Sequence, residues 1–171
     1  MSRSESRVVC DSGPIIHLDE LKCLHLLEDF QEILISDTVY NEIRRHRPLE
    51  IKKSKLPFVL SPGKIPVNEL LFTLCQIFSL DAGETEALAL MEQNPQAIFL
   101  TDDASARMVA EQLGFKVHGT IGILVRSIRR GQRKAEEVLR ILKEVPSQTT
   151  LHIRLSLLDE IILKVKREFN I

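Results

Sequence analysis

Short apolar runs alternate along this chain with longer segments whose apolar residues recur at helical spacing, and that alternation constrains the fold more than any other feature. RVVC (7–10), EILIS (32–36), AIFL (97–100) and FKV (115–117) are strand-sized and almost wholly apolar. Such runs read as strands buried on both faces. Pro14 suits the first position of a helix, and Ile15, Ile16, Leu18, Leu21, Leu24 and Leu27 continue it. TVYNEIRRHR follows the second strand, with Ser36 or Asp37 as its cap. Further helices are expected over 67–78, in LDAGETEALALMEQN, in DASARMVAEQLG up to Gly114, in GTIGILVRSIRRG up to Gly131, and in RKAEEVLRILKEV. The last, SLLDEIILKVKREF, carries Ser156 and Asp159 at capping-box spacing, and places Leu158, Ile161, Ile162, Val165 and Phe169 on one face.

Strands separated by helices imply right-handed crossovers, hence an α/β fold with a parallel β-sheet flanked by helices. With 171 residues, 44% of them hydrophobic, the chain can bury one core but not two. We therefore expect a single domain, its core over about 7–130, with a helical C-terminal extension over 131–171. Residues 47–66 break the pattern with four prolines and four lysines, leaving FVL as the only strand candidate. An irregular, mobile connection is expected there.

Acids stand where the apolar runs end. Asp11 follows RVVC directly, and Asp102 and Asp103 follow IFLT; Glu42 and Glu84 lie near the starts of two helices. In an open parallel sheet, ligands bind at the carboxyl ends of the strands where the strand order reverses. Each acid alone has an ordinary reading. Asp11 is either a turn residue beside Gly13 or a ligand; one of Asp102 and Asp103 caps the next helix; Glu84 pairs with Asp81 in a capping box; Glu42 complements a helix dipole. As a set they require more. Two like charges ~4 Å apart repel by ~4 kcal/mol at an effective dielectric of ~20. Several together need raised pKa values or a cation between them. With only oxygen donors, that cation would be Mg²⁺ or Mn²⁺ rather than zinc, which suits hydrolysis of a phosphodiester. A phosphoaspartate phosphatase would need a second Asp two residues after the first, where this chain has Gly13.

The ordered set VVCDSGPIIHL, LISDTVYNEI, LDAGETEALAL, IFLTDDASARMVAEQLG and VHGTIGILVR resembles the PIN-domain nucleases. The likeness runs over about residues 8–130 and is strongest to a branch related to VapC-type toxins, with Gly-Glu at a helix start and Asp-Asp at a strand end. It implies a PIN-like fold and an acidic pocket in which Mg²⁺ or Mn²⁺ serves cleavage of RNA. On that likeness Asp11, Glu42, Glu84 and Asp103 are the catalytic acids, with Asp11, Glu84, Asp102 and Asp103 as metal ligands. Ser12 is the small hydroxyl residue beside the first Asp, Thr101 the strand-end threonine, and Arg107 either orients a carboxylate or phosphate or forms a helix-surface ion pair. Glu84 stands where many toxins have Asp, so its reach into the site is longer. The resemblance further implies a homodimer and, in toxin relatives, an antitoxin protein lying across the pocket.

A net charge of −1 excludes binding to nucleic acid by bulk charge and leaves only local patches. The basic stretches are 44–47, Lys52, Lys53 and Lys55, and 126–134. Each is a backbone-holding surface or simply a solvated face. Aromatic residues make up 5% with no Trp, so there is little to build a base-stacking platform. The histidines are dispersed, without a metal-binding pair or an obvious base role. Cys10, Cys23 and Cys75 lack zinc or disulfide spacing. With no signal-type leader and no membrane-length apolar run, the expected location is cytoplasmic. A non-catalytic PIN-like protein that binds a partner or nucleic acid is the alternative to the nuclease.

Overall fold

The computed structural model describes residues 6–47 and 55–171. Five strands, β1 (Arg7–Cys10), β2 (Glu32–Ser36), β3 (Phe58–Ser61), β4 (Ile98–Leu100) and β5 (Lys116–His118), form one sheet in the order β3-β2-β1-β4-β5. Every pairing is parallel, with Val8 opposite Ile33, Val9 opposite Phe99, and Phe99 opposite Val117. The chain is therefore α/β. Because β1 lies between β2 and β4, the winding direction reverses between β1 and β4, and a crevice opens at their carboxyl ends.

The described residues contain eight α-helices: α1 (Ser12–Glu20), α2 (Asp37–His46), α3 (Glu69–Ile77), α4 (Ala82–Gln93), α5 (Ala104–Gln112), α6 (Thr120–Arg129), α7 (Ala135–Gln148) and α8 (Leu155–Phe169). Alternate strand residues feed two cores, as the period-2 geometry of a strand requires. Val8, Cys10, Ile33, Ile35 and Leu100 face one side and pack with α1, α2, α6, α7 and α8. Val9 and Phe99 face the other and pack with α3, α4 and α5. Leu142 and Val145 of α7, with Leu158, Ile162 and Val165 of α8, are buried in the first core. Cys10, Cys23 and Cys75 are buried free thiols. No helix among the described residues is long and apolar enough to cross a membrane.

Three local expectations change. The helix from Pro14 does not run on to Leu27: α1 ends at Glu20, Lys22 takes a positive φ of 56°, and Leu24–Leu27 form a separate 3-10 turn. The FVL segment is a true strand. β3 pairs with β2 alone, and on a sheet edge the flanking Pro57 and Pro62 cost no internal ladder bond. Of the irregular connection, residues 48–54 lie outside the described residues. Finally, Ser156 and Asp159 form no capping box: α8 begins at Leu155, after Arg154, so Ser156 already lies inside the helix.

Candidate active site

The crevice between β1 and β4 is assembled by hydrogen bonds from both strand ends. The Asp11 N–H donates to Leu100 O (2.9 Å), so the chain after β1 stays clasped to β4 one residue beyond the strand. Asp11 then caps α1: its Oδ1 accepts from the Ser12 N–H (2.7 Å), and its Oδ2 accepts from the Thr101 hydroxyl (3.1 Å). Thr101 is wholly buried, and its Oγ1 also accepts from the Asp103 N–H (3.2 Å). One hydroxyl thus ties the acid after β1 to the acid after β4. Asp103 in turn caps α5 through the Ala106 N–H (2.7 Å).

The third contribution comes from the start of α4. Asp81 and Glu84 form the expected capping box, the Glu84 N–H donating to Asp81 Oδ1 (2.8 Å) and the Asp81 N–H to Glu84 Oε2 (2.9 Å). α2 approaches this helix start closely: a Cβ on Gly83 would stand in ordinary contact, 3.6 Å from Glu42 Oε2. The result is a cleft of about 450 Å³ whose walls include Asp11, Glu42, Asp81, Glu84, Asp102 and Asp103. Acids from four separate stretches of sequence meet there. Ser12 lines the same cleft, nearly buried, and its hydroxyl has no hydrogen-bond partner among the described residues.

The electrostatic cost of this gathering is concentrated on two groups. Burial raises the Asp11 carboxyl to about 7; the Ser12 N–H and Thr101 hydroxyl work against that rise, while the charges of Asp81 and Glu42 add to it. Glu84 is also raised to about 7, by burial and by Asp81, Asp103 and Asp11, with the Asp81 N–H opposing. Near neutral pH each of these carboxyls is therefore poised between its charged and neutral forms.

Asp102 has a different environment. Its Oδ1 accepts from the Thr120 N–H (2.7 Å), and its Oδ2 meets the Thr120 hydroxyl (2.6 Å) and His17 Nδ1 (2.7 Å). Gly119 makes this possible: a Cβ there would stand 2.5 Å from Asp102 Oδ1 and 3.0 Å from the Thr101 carbonyl. Arg107 makes a long helix-surface contact and a bond to the backbone, not to a carboxylate of the cleft. Its Nη2 donates to Thr101 O (3.3 Å), while its Nη1 lies 3.9 Å from Glu111 Oε1. It lines a neighbouring groove rather than the acidic cleft.

Sequence reasoning treated Asp81 only as a cap and His17 as one of the dispersed histidines, and it passed over Thr120, Gly119 and the 150–152 linker, which closes one side of the cleft. The HGT triplet at the end of β5 was the available signal for Gly119 and Thr120. Four arginines of the described basic stretches have other work. Arg126 and Arg130 reach Asp29 at 3.0 and 3.1 Å, Arg129 pairs with Glu168 at 2.8 Å, and Arg47 with Asp19 at 3.2 Å.

A family model described as PIN domain matches residues 7–167. The chain belongs to the PIN-domain family. The match takes in α7 and all but the end of α8, so those helices are part of this PIN domain's family pattern. Comparison with curated proteins and with solved structures returns no match. A PIN domain is a nuclease-type fold, and in this one the acids stand at the crevice that the strand order creates.

The donors in the cleft are mainly carboxylates and hydroxyls, with the His17 nitrogen turned to Asp102 and His152 on the linker wall, so the carboxylate-rich set fits a hard cation. Among the described residues no three acidic, histidine or cysteine side chains stand close enough to make a ready coordination group.

Proposed function

We propose that this PIN domain is a divalent-metal-dependent endoribonuclease that hydrolyses RNA phosphodiester bonds. The observation that carries the reading is the cleft that gathers Asp11, Glu42, Glu84 and Asp103, with Asp11 buried among them; burial and the neighbouring carboxylates push Asp11 and Glu84 up to about 7. Isolated helix caps have no reason to be crowded in this way, whereas a cation among them relieves the repulsion.

Asp11, Glu84 and Asp103 are the residues to hold Mg²⁺ or Mn²⁺. Asp102, whose two oxygens already accept from His17 and Thr120, has the least capacity left and acts mainly to fix the cleft wall. When bound, the ion supplies charge neutralisation at the scissile phosphate and activation of water. The remaining work falls to the chain. Glu42 has no protein hydrogen bond among the described residues and faces the cleft, so it is the carboxylate with lone pairs to accept a proton from attacking water. Ser12 offers a free hydroxyl for ordering that water, and Thr101 holds Asp11 and Asp103 in fixed relation. Arg107, anchored on the Thr101 carbonyl, supplies positive charge beside the reacting phosphate.

The test is incubation of the full chain with single-stranded RNA in Mn²⁺ or Mg²⁺, with and without chelator. Cleavage that needs the metal is expected; equal cutting in chelator refutes the reading. The second reading is a PIN-like binding protein without catalysis, favoured by the lack of a ready three-ligand group. Thermal melting separates the two, because metal raises the melting temperature only if it binds the folded cleft. We further propose a homodimer formed through α3, which leaves Leu70, Phe72 and Ile77 exposed. As part of the same reading, the chain acts as the toxin of a pair whose antitoxin covers the cleft.

A further inference from the structure

Next to the acidic cleft lies a second groove of about 550 Å³, and the two share Asp102, Leu151 and His152 as a common wall. Their charge differs. Around the second groove stand Arg107, His118 and Arg154, with Ile121, Leu157 and Ile161 as apolar lining. Its only acid is Asp102, already answered by His17 and Thr120.

The Arg154 side chain has no hydrogen bond or ion pair among the described residues, and the residue is exposed. Arg107 holds Glu111 only at 3.9 Å, with both side chains more than a third exposed, so that contact is easily exchanged. The arginines at the end of α6, by contrast, are already engaged with Asp29 and Glu168. His118 is held below its usual pKa by burial and by the charges of Arg107, Arg126 and Arg129. At neutral pH it is an uncharged hydrogen-bonding group rather than a third cation.

We propose that this groove, between the start of α6 and the linker from α7 to α8, is the subsite for the nucleotide adjoining the cleaved phosphodiester. Arg154 and Arg107 take its phosphate, while the aliphatic lining takes its base. The inference rests on the nuclease reading of the acidic cleft and deepens it. A cleft of carboxylates repels an RNA backbone, so a bound strand needs cations immediately beside the reacting phosphate. The groove is continuous with the cleft, and its size is that of a small-molecule site. Ile121, Leu157 and Ile161 present no hydrogen-bonding groups to a base edge, so base identity should matter little.

The test uses the full chain and a labelled single-stranded RNA of about ten nucleotides, within the usual span of such sites, followed by fluorescence anisotropy and by cleavage in Mn²⁺. Arg154→Ala should weaken binding several-fold and lower the slope of log affinity against log salt by about 0.7, the value of one phosphate contact on a single strand. Arg154→Lys should recover most of the affinity, and Arg154→Glu should bind more weakly than Arg154→Ala. Leu157→Trp, which fills the groove without changing charge, should raise KM more than it lowers kcat. Melting curves for each variant exclude unfolding as the cause. If the wild-type chain cuts RNA and the Arg154 and Leu157 variants bind and cut like it, the groove proposal falls and the nuclease reading stands. If RNA binds, the variants weaken it, and no metal-dependent cutting occurs, the groove stands as an RNA site and the nuclease reading falls. No binding of RNA by the wild-type chain overturns the groove.

Discussion

Asp11 and Asp102 follow neighbouring strands and line the same cleft, yet the protein treats their charges in opposite ways. Asp102 is answered: a histidine nitrogen, a hydroxyl and a backbone N–H converge on it. Asp11, only 6% exposed, accepts one N–H and one hydroxyl and otherwise looks toward other acids. The contrast separates two uses of a buried carboxylate. An answered charge holds local structure together, whereas an unanswered one is kept at a cost that function has to explain. The same division runs through the cations. Arg126 and Arg130 share Asp29, while the guanidinium of Arg154, in the groove beside the cleft, has no partner among the described residues.

The largest consequence concerns activity. Asp11→Asn keeps the shape of the cap and removes the charge, so metal-dependent RNA cleavage should fall on the order of 10³-fold in kcat/KM, the scale of losing a central electrostatic group. The folded state should survive. A variant with full activity would mean that Asp11 is only a helix cap, and the contrast with Asp102 would have no functional meaning.

Stability should reveal the same contrast through pH. Asp11 moves from an ordinary value of 3.8 to about 7 on folding, and Glu84 from 4.5 to about 7. Both are raised, so the folded state binds more protons than the unfolded chain between about pH 4 and 7, and stability falls as pH rises through that window. For Asp11 the loss has a ceiling of roughly 4 kcal/mol. Urea melts at pH 5 and pH 8 should show the wild-type chain losing stability and Asp11→Asn losing about half as much, since Glu84 still titrates in this window. Saturating Mn²⁺ at pH 8 should restore part of the loss. A flat pH profile without metal would show that the charge on Asp11 is answered after all.

Much of this site was legible because its first layer is local. An apolar run followed at once by Asp, or a helix start with Glu three residues after Asp, can be read without knowing which strands are neighbours. Asp11, Asp103 and Glu84 were found that way, Glu42 from its place one turn into a helix, and the structure brings all four to one cleft. What answers a charge is not local. His17 and Asp102 are 85 residues apart, and Arg126 meets Asp29 across 97. No spacing rule announces such pairs, so the basic run at 126–134 looked available when its arginines were engaged. The false capping box failed for a related reason: Ser156 and Asp159 have the right spacing, but tertiary packing starts α8 one residue before Ser156. β3 was obscured by prolines that only an edge strand tolerates.

A smaller effect, and of a different kind, is expected at Asp102. Asp102→Ala leaves His17, the Thr120 hydroxyl and the Thr120 N–H without their acceptor, which should cost about 2–4 kcal/mol of stability. Cleavage by the fraction that stays folded should fall far less than for Asp11→Asn, measured at a temperature well below the variant's melting point. If Asp102→Ala instead abolished cleavage while keeping its melting temperature, Asp102 would be a metal ligand in spite of its hydrogen bonds, and the distinction drawn from them would be wrong.

The smallest effect is expected where cation and anion already satisfy each other at the surface. Arg130→Ala removes one of the two guanidinium groups on Asp29 and leaves Arg126, which also lies over the Phe30 ring at 4.4 Å. A partly exposed pair of this kind contributes about 0–1 kcal/mol, so the melting temperature should hardly move. Affinity for single-stranded RNA should not change either, because Asp29 already neutralises this charge, whereas Arg154 is open to a phosphate. The two arginines are therefore best compared in one anisotropy titration at low salt. A drop for Arg130→Ala as large as for Arg154→Ala would show that an ion pair visible in the folded chain does not withhold an arginine from RNA. The basic end of α6 would then join the substrate surface.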